Sequence, residues 1–313
     1  MKIYHDLNEI EMIVNPVVTT GSFDGVHVGH KIILNRLKNL AREIGGESVL
    51  ITFYPHPRKV LYPDTAGKNL LLINSQREKI ELLRKTGLDH LIIINFTLEF
   101  SRISSIDFIR NILVGKLHAK KVVIGFNHHF GHNREGDYSY LYELGKFYGF
   151  GVEEIPEQDI HNETVSSTLI RKALQEGKIQ RANAYLDHQY IIIGDFFKAQ
   201  ESLAFREFPT FNLTIEEEFK LVPPDGVYAV NVVVENENYK GVLNIKNNSN
   251  NPERKVADIG IEIHLFDTHK DMCGKSAIVL FAKRIRDEKA FVGMDELKRQ
   301  ILLDKAEVED LIF

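Results

Sequence analysis

The decapeptide GSFDGVHVGH, residues 21–30, constrains this chain more than any other segment. It follows an apolar run at 14–20, broken only by Asn15 and Pro16, that reads as a strand. It opens a helical pattern that puts Ile33, Leu37, Leu40, Ala41 and Ile44 on one face. Gly21, Gly25 and Gly29 let the backbone of such a turn come close to a ligand. His30 falls where the helix begins, and a helix N-terminus holds anions through its free N–H groups. Two histidines spaced H-x-G-H at that place suit a phosphate held through its transfer. The competing reading is a tight turn with incidental histidines, which an aspartate and a phenylalanine in the same turn make harder to sustain.

Up to about residue 186 the chain alternates strand-like and helix-like segments. Short apolar runs lie at 49–53, 91–94, 122–124 and 152–155. Between them, Ser75 to Glu78 forms a capping box in sequence, and 106–113 and 138–148 are further helix candidates. Such alternation predicts a doubly wound α/β fold: a parallel sheet with helices on both faces, binding ligands at the carboxyl ends of its strands near a topological switch point. From residue 190 the texture changes. Strand-like segments at 190–193, 227–234, 239–244, 259–266 and 276–284 are separated by turn-forming stretches such as 223–226 and 247–251. One amphipathic stretch at 294–303 follows, which predicts a β-barrel with a C-terminal helix. The border is expected at 187/188, after a helical pair at 168–176 and 179–186.

Three more segments of the first half carry candidate chemistry. Pro55-His56-Pro57 fixes a loop after the second apolar run and holds His56 at a strand's carboxyl end. GFNHHFGHNREGD, 125–137, holds three histidines but no nearby cysteine and no spaced carboxylates, which argues against a metal site. Arg134 in that segment suits a phosphate, because guanidinium is always charged and forks onto oxyanions. Ser166, Ser167 and Thr168 are placed to cap a helix or to donate to a triphosphate, with Arg171 one turn further on. Alone, the plain N-cap is the simpler reading of that last segment.

Together these segments resemble, in order and spacing, the bacterial bifunctional riboflavin kinase/FMN adenylyltransferases, or FAD synthetases. GxFDGxHxGH, the Pro-His-Pro loop, GFNHHFGxxRxGD and SSTxIR carry the likeness, and the first of them contains the HxGH signature of the nucleotidyltransferase superfamily. The resemblance implies transfer of AMP from ATP to FMN, giving FAD and pyrophosphate. It implies catalytic roles for His27 and His30, and ATP or phosphate binding by Gly21, Phe23, Asp24, Gly29, Arg134, Ser166, Ser167, Thr168 and Arg171. Phe53, His56 and Asn127 would lie on the FMN side; Asn127 stands where many relatives carry aspartate, so hydrogen bonding is kept and a charge is lost.

In the second half, Pro209-Thr210-Phe211-Asn212 resembles the PTAN signature of riboflavin kinases. The resemblance implies that Thr210 and Asn212 bind Mg-ATP and hold the Mg2+, and that Glu262 is the base for the riboflavin 5′-hydroxyl. Arg286 and Glu288 would lie on its flavin side. Without the resemblance, Glu262 reads as a solvent-facing residue of an alternating strand. This half departs from the pattern: between Gly194 and Asn212 there is no further glycine, where relatives place a glycine- and arginine-rich loop. The alternative is therefore an FMN adenylyltransferase joined to a barrel that no longer phosphorylates. A flavin sensor without turnover, or a transferase for another acceptor, remains a further reading. Gly274-Lys275-Ser276 echoes the end of a P-loop, but His269 stands where that loop needs glycine.

Composition bounds the rest. A net charge of −5 in 313 residues points to no nucleic-acid or anionic-membrane partner, though phosphate ligands need only local positive charge. The single cysteine excludes an intrachain disulfide, and a basic segment followed by an apolar core is missing from the start. No apolar run approaches the ~20 residues of a membrane span. The expectation is a cytoplasmic enzyme whose partners are flavins and ATP, with its oligomeric state left open.

Overall fold

The computed structural model describes residues 1–126, 129–156, 159–160, 163–198, 209–247, 256–289 and 291–311. The chain forms two compact units, Met1–Leu70 with Lys79–Ser166 and Leu71–Glu78 with Ser167–Phe313.

The first unit is built on six parallel strands: β1 (Lys2–Tyr4), β2 (Val17–Thr20), β3 (Ser48–Tyr54), β4 (His90–Asn95), β5 (Lys121–Gly125) and β6 (Gly151–Ile155). Their order is β1-β4-β3-β2-β5-β6. From β2 the chain steps outward to β3 and β4, then returns to β5 on the other side of β2. The carboxyl end of β2 is therefore the switch point at which open α/β sheets bind ligands. Helix α1 (Val28–Glu43) leaves from there and lies against β2, β3 and β5. It buries Leu34, Leu37, Leu40 and Ala41, and half-buries Ile33, whose Cδ1 packs over Gly125 of β5, so Leu34 joins the predicted face, while Ile44 is already the C-cap. On one side of the sheet Val18, Val49, Ile51, Ile92, Ile94, Val122 and Ile124 pack with Phe108, Ile109 and Ile112. The alternate residues Val17, Leu50, Leu91, Ile93 and Val123 are buried as well. Burial of both sides is why these strands read as unbroken apolar runs rather than as alternation.

The remaining helices of the first half are short: α2 (Pro57–Leu61), α3 (Gln76–Arg84), α4 (Leu98–Ser101), α5 (Ser105–Asp107) and α6 (Tyr138–Tyr148). The predicted helix at 106–113 is α5 running directly into a π-helical stretch, Phe108–Val114. The capping box before α3 forms as read: Ser75 N donates to Glu78 Oε2 at 2.8 Å and Glu78 N donates to Ser75 Oγ at 3.2 Å. A small antiparallel pair, β7 (Asp159–Ile160) and β8 (Glu163–Thr164), completes this half.

The second unit carries α7 (Ser167–Gln175) and α8 (Ile179–Leu186), then a closed antiparallel barrel, then α9 (Met294–Leu311). The barrel strands are β9 (Tyr190–Lys198), β10 (Thr210–Thr214), β11 (Gly226–Val234), β12 (Glu237–Asn247), β13 (Ile259–Leu265) and β14 (Ser276–Arg286), closing in the order β10-β13-β12-β11-β14-β9. Phe211, Ile263 and Leu243 lie opposite one another in register and are buried, as a filled small barrel requires. On the alternate face α9 covers Val227, Ala229 and Val242 with Val308. Helix α9 runs well beyond the predicted 303 because its second half is anchored by a charge pair: Arg286 forks onto the buried Asp304, Nη2 to Oδ2 at 2.7 Å and Nε to Oδ1 at 3.0 Å. Gly274 and Lys275 lie in the turn before β14, and Lys275 pairs with Glu235, so the P-loop echo is a hairpin.

One buried ion pair fastens the second unit internally. Lys220 and Glu78 have fully buried side chains and meet at 2.6 Å. Lys220 Nζ also donates to Ile73 O and Ile191 O, and lies 4.3 Å from the centre of the Tyr190 ring. Glu78 Oε1 accepts from Ile193 N at 2.9 Å. Each ammonium proton and each carboxylate oxygen thus has a partner, which such a pair needs to offset desolvation. Lys220→Ala would strand a buried carboxylate and is expected to cost about 3–5 kcal/mol in urea unfolding, whereas pairing Lys220→Met with Glu78→Leu should restore most of that loss. An unchanged midpoint for Lys220→Ala would show the pair to be idle.

Candidate active sites

The first candidate site is the turn between β2 and α1. Its backbone is strained: Phe23, Gly25 and Val26 have φ of 49°, 96° and 42°. Glycine adopts such angles freely, but a β-branched residue like Val26 does so only where its surroundings insist, and such strain gathers at functional sites. Val26 is fully buried and Phe23 nearly so, which holds the turn in place. The Ser22 carbonyl accepts from Lys79 Nζ at 2.9 Å and from Thr52 Oγ1 at 3.2 Å, and Gly21 N donates to Ile51 O.

His27 is the N-cap of α1, without a side-chain capping bond, and His30 lies in the first turn. The two rings stack, with centroids 3.6 Å apart, and Phe23 stacks on His30 at 4.5 Å. His30 Nδ1 is buried with no hydrogen-bonding partner among the described residues. Burial holds the His30 pKa well below its usual value, helped by His27 and Lys79. It is therefore a neutral imidazole at physiological pH, able to donate one N–H. Asp24 is buried in the same turn. Gly29 has a steric reason: a Cβ there would meet the His27 ring at 3.3 Å; at Gly21 it would meet the Phe23 ring at 3.1 Å. The helix start, with no acidic residue in its first turn, adds free N–H groups beside these rings.

The other residues singled out in sequence are placed as follows. Phe53, next to last in β3, lies in an aromatic cluster with Phe96 and Phe100, centroids 5.5 and 6.0 Å away. His56 caps α2, its Nδ1 accepting from Arg58 N at 3.1 Å. In the 125–137 segment, Asp137 caps α6 and Glu135 accepts from Ser105 N at 2.7 Å. Gly131, at φ 77°, passes so close to Ser105 that a Cβ would meet its backbone at 2.6 Å. His132 N donates to Ile103 O. These bonds tie the loop to α5 and the turn before it, and no metal-holding cluster of histidines and carboxylates occurs among the described residues. Asn127 and the Arg134 side chain lie outside the described residues. In the second unit, α7 begins at Ser167, Thr168 is exposed on it, and Arg171 Nε donates to Leu71 O at 2.8 Å.

The second candidate site lies on the outer face of the barrel. β10 pairs with β13 so that Asn212 stands opposite Glu262 and Thr210 opposite His264; β12 sets Asn244 opposite Glu262 on the other side. Asn212, Glu262 and Asn244 therefore form one polar row across three strands, on the face opposite Phe211, Ile263 and Leu243. Glu262 is not a solvent-facing residue: burial raises its pKa, which makes its carboxylate a stronger base. Asn244 Oδ1 is buried without a partner among the described residues. Thr210 Oγ1 lies 2.8 Å from His264 Nδ1, and burial holds the His264 pKa down at about 4, so that ring is neutral. Asn244 was missed as a site residue, because only the cross-strand register, which sets it opposite Glu262 from the other side than Asn212, brings it there. Arg286 is engaged by Asp304, and Glu288 pairs with Lys246 at 3.3 Å. Most of the glycine-poor loop, 199–208, and most of the 247–251 turn lie outside the described residues.

A parallel sheet with an HxGH turn at its switch point, joined to a barrel with a carboxylate facing a Thr-x-Asn strand, defines a two-headed transferase of nucleotidyl and phosphoryl groups. The family models agree with both halves: residues 10–169 match FAD synthetase and residues 186–312 match riboflavin kinase. A bifunctional riboflavin kinase/FMN adenylyltransferase from Buchnera aphidicola subsp. Acyrthosiphon pisum is 34% identical over 309 residues, 97% of this chain and 96% of that one. The Bacillus subtilis protein of the same description is 34% identical, covering 93% of this chain and 90% of its own length. The chain belongs to the bifunctional riboflavin kinase/FMN adenylyltransferase family, and is thus an enzyme of FAD biosynthesis. Its whole fold also matches a solved structure reported as a macrolide-efflux protein from Streptococcus pneumoniae, with a TM-score of 0.84 over 98% of both chains; at 24% identity that likeness concerns the fold alone. Among the described residues no helix is long and apolar enough to cross a membrane.

Proposed function

We propose that the two heads act in sequence: the barrel phosphorylates riboflavin to FMN with ATP, and the sheet domain transfers AMP from a second ATP to FMN, releasing pyrophosphate. The functional border is kept near 187, and the setting is the cytoplasm. The observation that carries the reading is the pair of stacked histidines at the N-terminus of α1, held in a strained turn at the sheet's switch point. There the FMN phosphate attacks the α-phosphorus in line, so the protein's task is to position the reactants and stabilise charge. His27 and the neutral His30 donate to the phosphates around the transition state, and the N–H groups of α1 add to them. By the family motif, Gly21, Phe23, Asp24 and Gly29 shape the ATP pocket, while Arg134, Ser166, Ser167, Thr168 and Arg171 serve the leaving pyrophosphate. Phe53, His56 and Asn127 are assigned to the FMN side.

In the barrel, Glu262 takes the proton from the riboflavin 5′-hydroxyl. Asn212, opposite that base, and Thr210, two residues before it on the same strand, supply hard oxygen donors, few enough to suit Mg2+, which is usually held through substrate phosphates with little help from protein. When bound, the ion neutralises phosphate charge. Arg286 and Glu288 are kept on the flavin side. A barrel without kinase activity is the less favoured reading, because Thr210, Asn212 and Glu262 keep a working register despite the glycine-poor loop.

The test is chromatography of flavins after incubating the protein with ATP, Mg2+ and either riboflavin or FMN. FAD from both is expected. FAD from FMN alone would remove the kinase, and FAD from neither would remove the reading.

A further inference from the structure

Lys79 reaches the histidine turn from outside it, and none of the signatures above includes it. Its Nζ donates to the Ser22 carbonyl at 2.9 Å, and the residue is only 5% exposed. Ser22 immediately precedes Phe23, the first of the positive-φ residues whose backbone sets the direction of His27 and His30. Burying an ammonium is expensive unless it is bonded and its charge is used. One use is to anchor that carbonyl, with Thr52 as second donor. The other is electrostatic, since Lys79 from α3 and His27 from the same turn both oppose protonation of His30. The remaining charged groups near this ring in the sequence are Asp24, buried in the same turn, and Lys31, which follows His30 on α1.

We propose that Lys79 is the positioning residue of the nucleotidyl-transfer site: its ammonium fixes the Ser22 carbonyl, and through it the strained turn that aims His27 and His30. The inference rests on the function proposed above for that site. Lys79 acts on the rings and the backbone that carries them, and no contact with substrate is assigned to it.

The experiment compares wild type with Lys79→Met and Lys79→Gln, all in the full chain. FMN adenylylation is followed by FAD formation over pH 5 to 9, and His30 is titrated by NMR of its imidazole. Lys79→Met is expected to lower kcat about 10- to 100-fold, the scale set by small misplacements of reacting groups. KM for ATP and FMN should move less than about threefold, since a merely looser pocket would raise KM instead. In both variants His30 should titrate closer to its ordinary value, and the acid limb of kcat should move up in pH with it. Lys79→Gln, which keeps a donor without the charge, should recover part of kcat, and it serves alone if Lys79→Met does not fold. A kcat within about twofold of wild type together with unchanged His30 titration overturns the proposal. So does a rise in KM at constant kcat. If the wild type makes no FAD from FMN, the function has failed; the His30 titration still decides whether Lys79 governs the turn.

Discussion

His30→Ala is expected to lower kcat for FAD formation from FMN by about 100- to 1,000-fold, the range seen when one preorganised donor to a transition state is removed. The reason is local. His30 stacks on both His27 and Phe23, so truncation removes the proposed phosphate donor and also frees the two rings that it orders. Aromatic pairs of this kind contribute about 0.5–1.5 kcal/mol each, so the fold should survive with a modest fall in melting temperature. The pH profile gives a second reading. Because the folded protein holds His30 neutral to lower pH than the unfolded chain does, the stability tied to that neutrality is present above the ordinary histidine range and lost as pH falls through it. Adenylylation by the wild type should stay flat through pH 6.5 and decline only below it, where His30 finally charges. Near-normal turnover of His30→Ala, with an intact fold, would sink the assignment.

The histidine turn was legible because its strand–turn–helix context is written locally: an apolar run, three glycines, then a helical repeat. What held the turn was not. Lys79 and Thr52 reach Ser22 from α3 and β3, tens of residues away, and no local pattern marks a lysine as buried. The barrel followed the same rule. Long strands such as β11 and β14 announced themselves, while β10 was read only as a signature. Yet its TFNLT alternates polar and apolar residues as a half-buried strand should, and that alternation puts Phe211 inside and Thr210 and Asn212 outside. The addition of Leu34 to the core face of α1 and the extra turns of α9 have one cause. Helical periodicity gives a face to within a residue, and tertiary partners such as the Arg286–Asp304 pair decide the rest. Cross-strand register is the largest thing the sequence withholds, and it is register that turns Glu262 from an exposed residue into a candidate base.

Glu262→Gln is the corresponding prediction for the barrel. It should abolish phosphorylation of riboflavin, by about 100- to 10,000-fold for loss of a general base, while leaving FAD formation from FMN at the wild-type rate. Glutamine keeps the size and hydrogen-bonding reach of the side chain, so the row with Asn212 and Asn244 should persist and only proton acceptance is lost. Burial alone raises the Glu262 pKa, which fits a base working near neutral pH. The wild-type kinase should therefore lose rate, as pH falls, at a higher pH than an exposed glutamate would allow, and that acid limb should vanish with the residual activity of Glu262→Gln. Because the folded carboxyl is easier to protonate than the unfolded one, this group favours the fold most at low pH, and Glu262→Gln should raise stability slightly above pH 5. Riboflavin fed to the variant would then accumulate unphosphorylated, and FMN fed to it would still become FAD. A variant that phosphorylates riboflavin within a few-fold of wild type would move the base elsewhere on this face, and one that loses both activities would mean the substitution had damaged the fold instead of the chemistry.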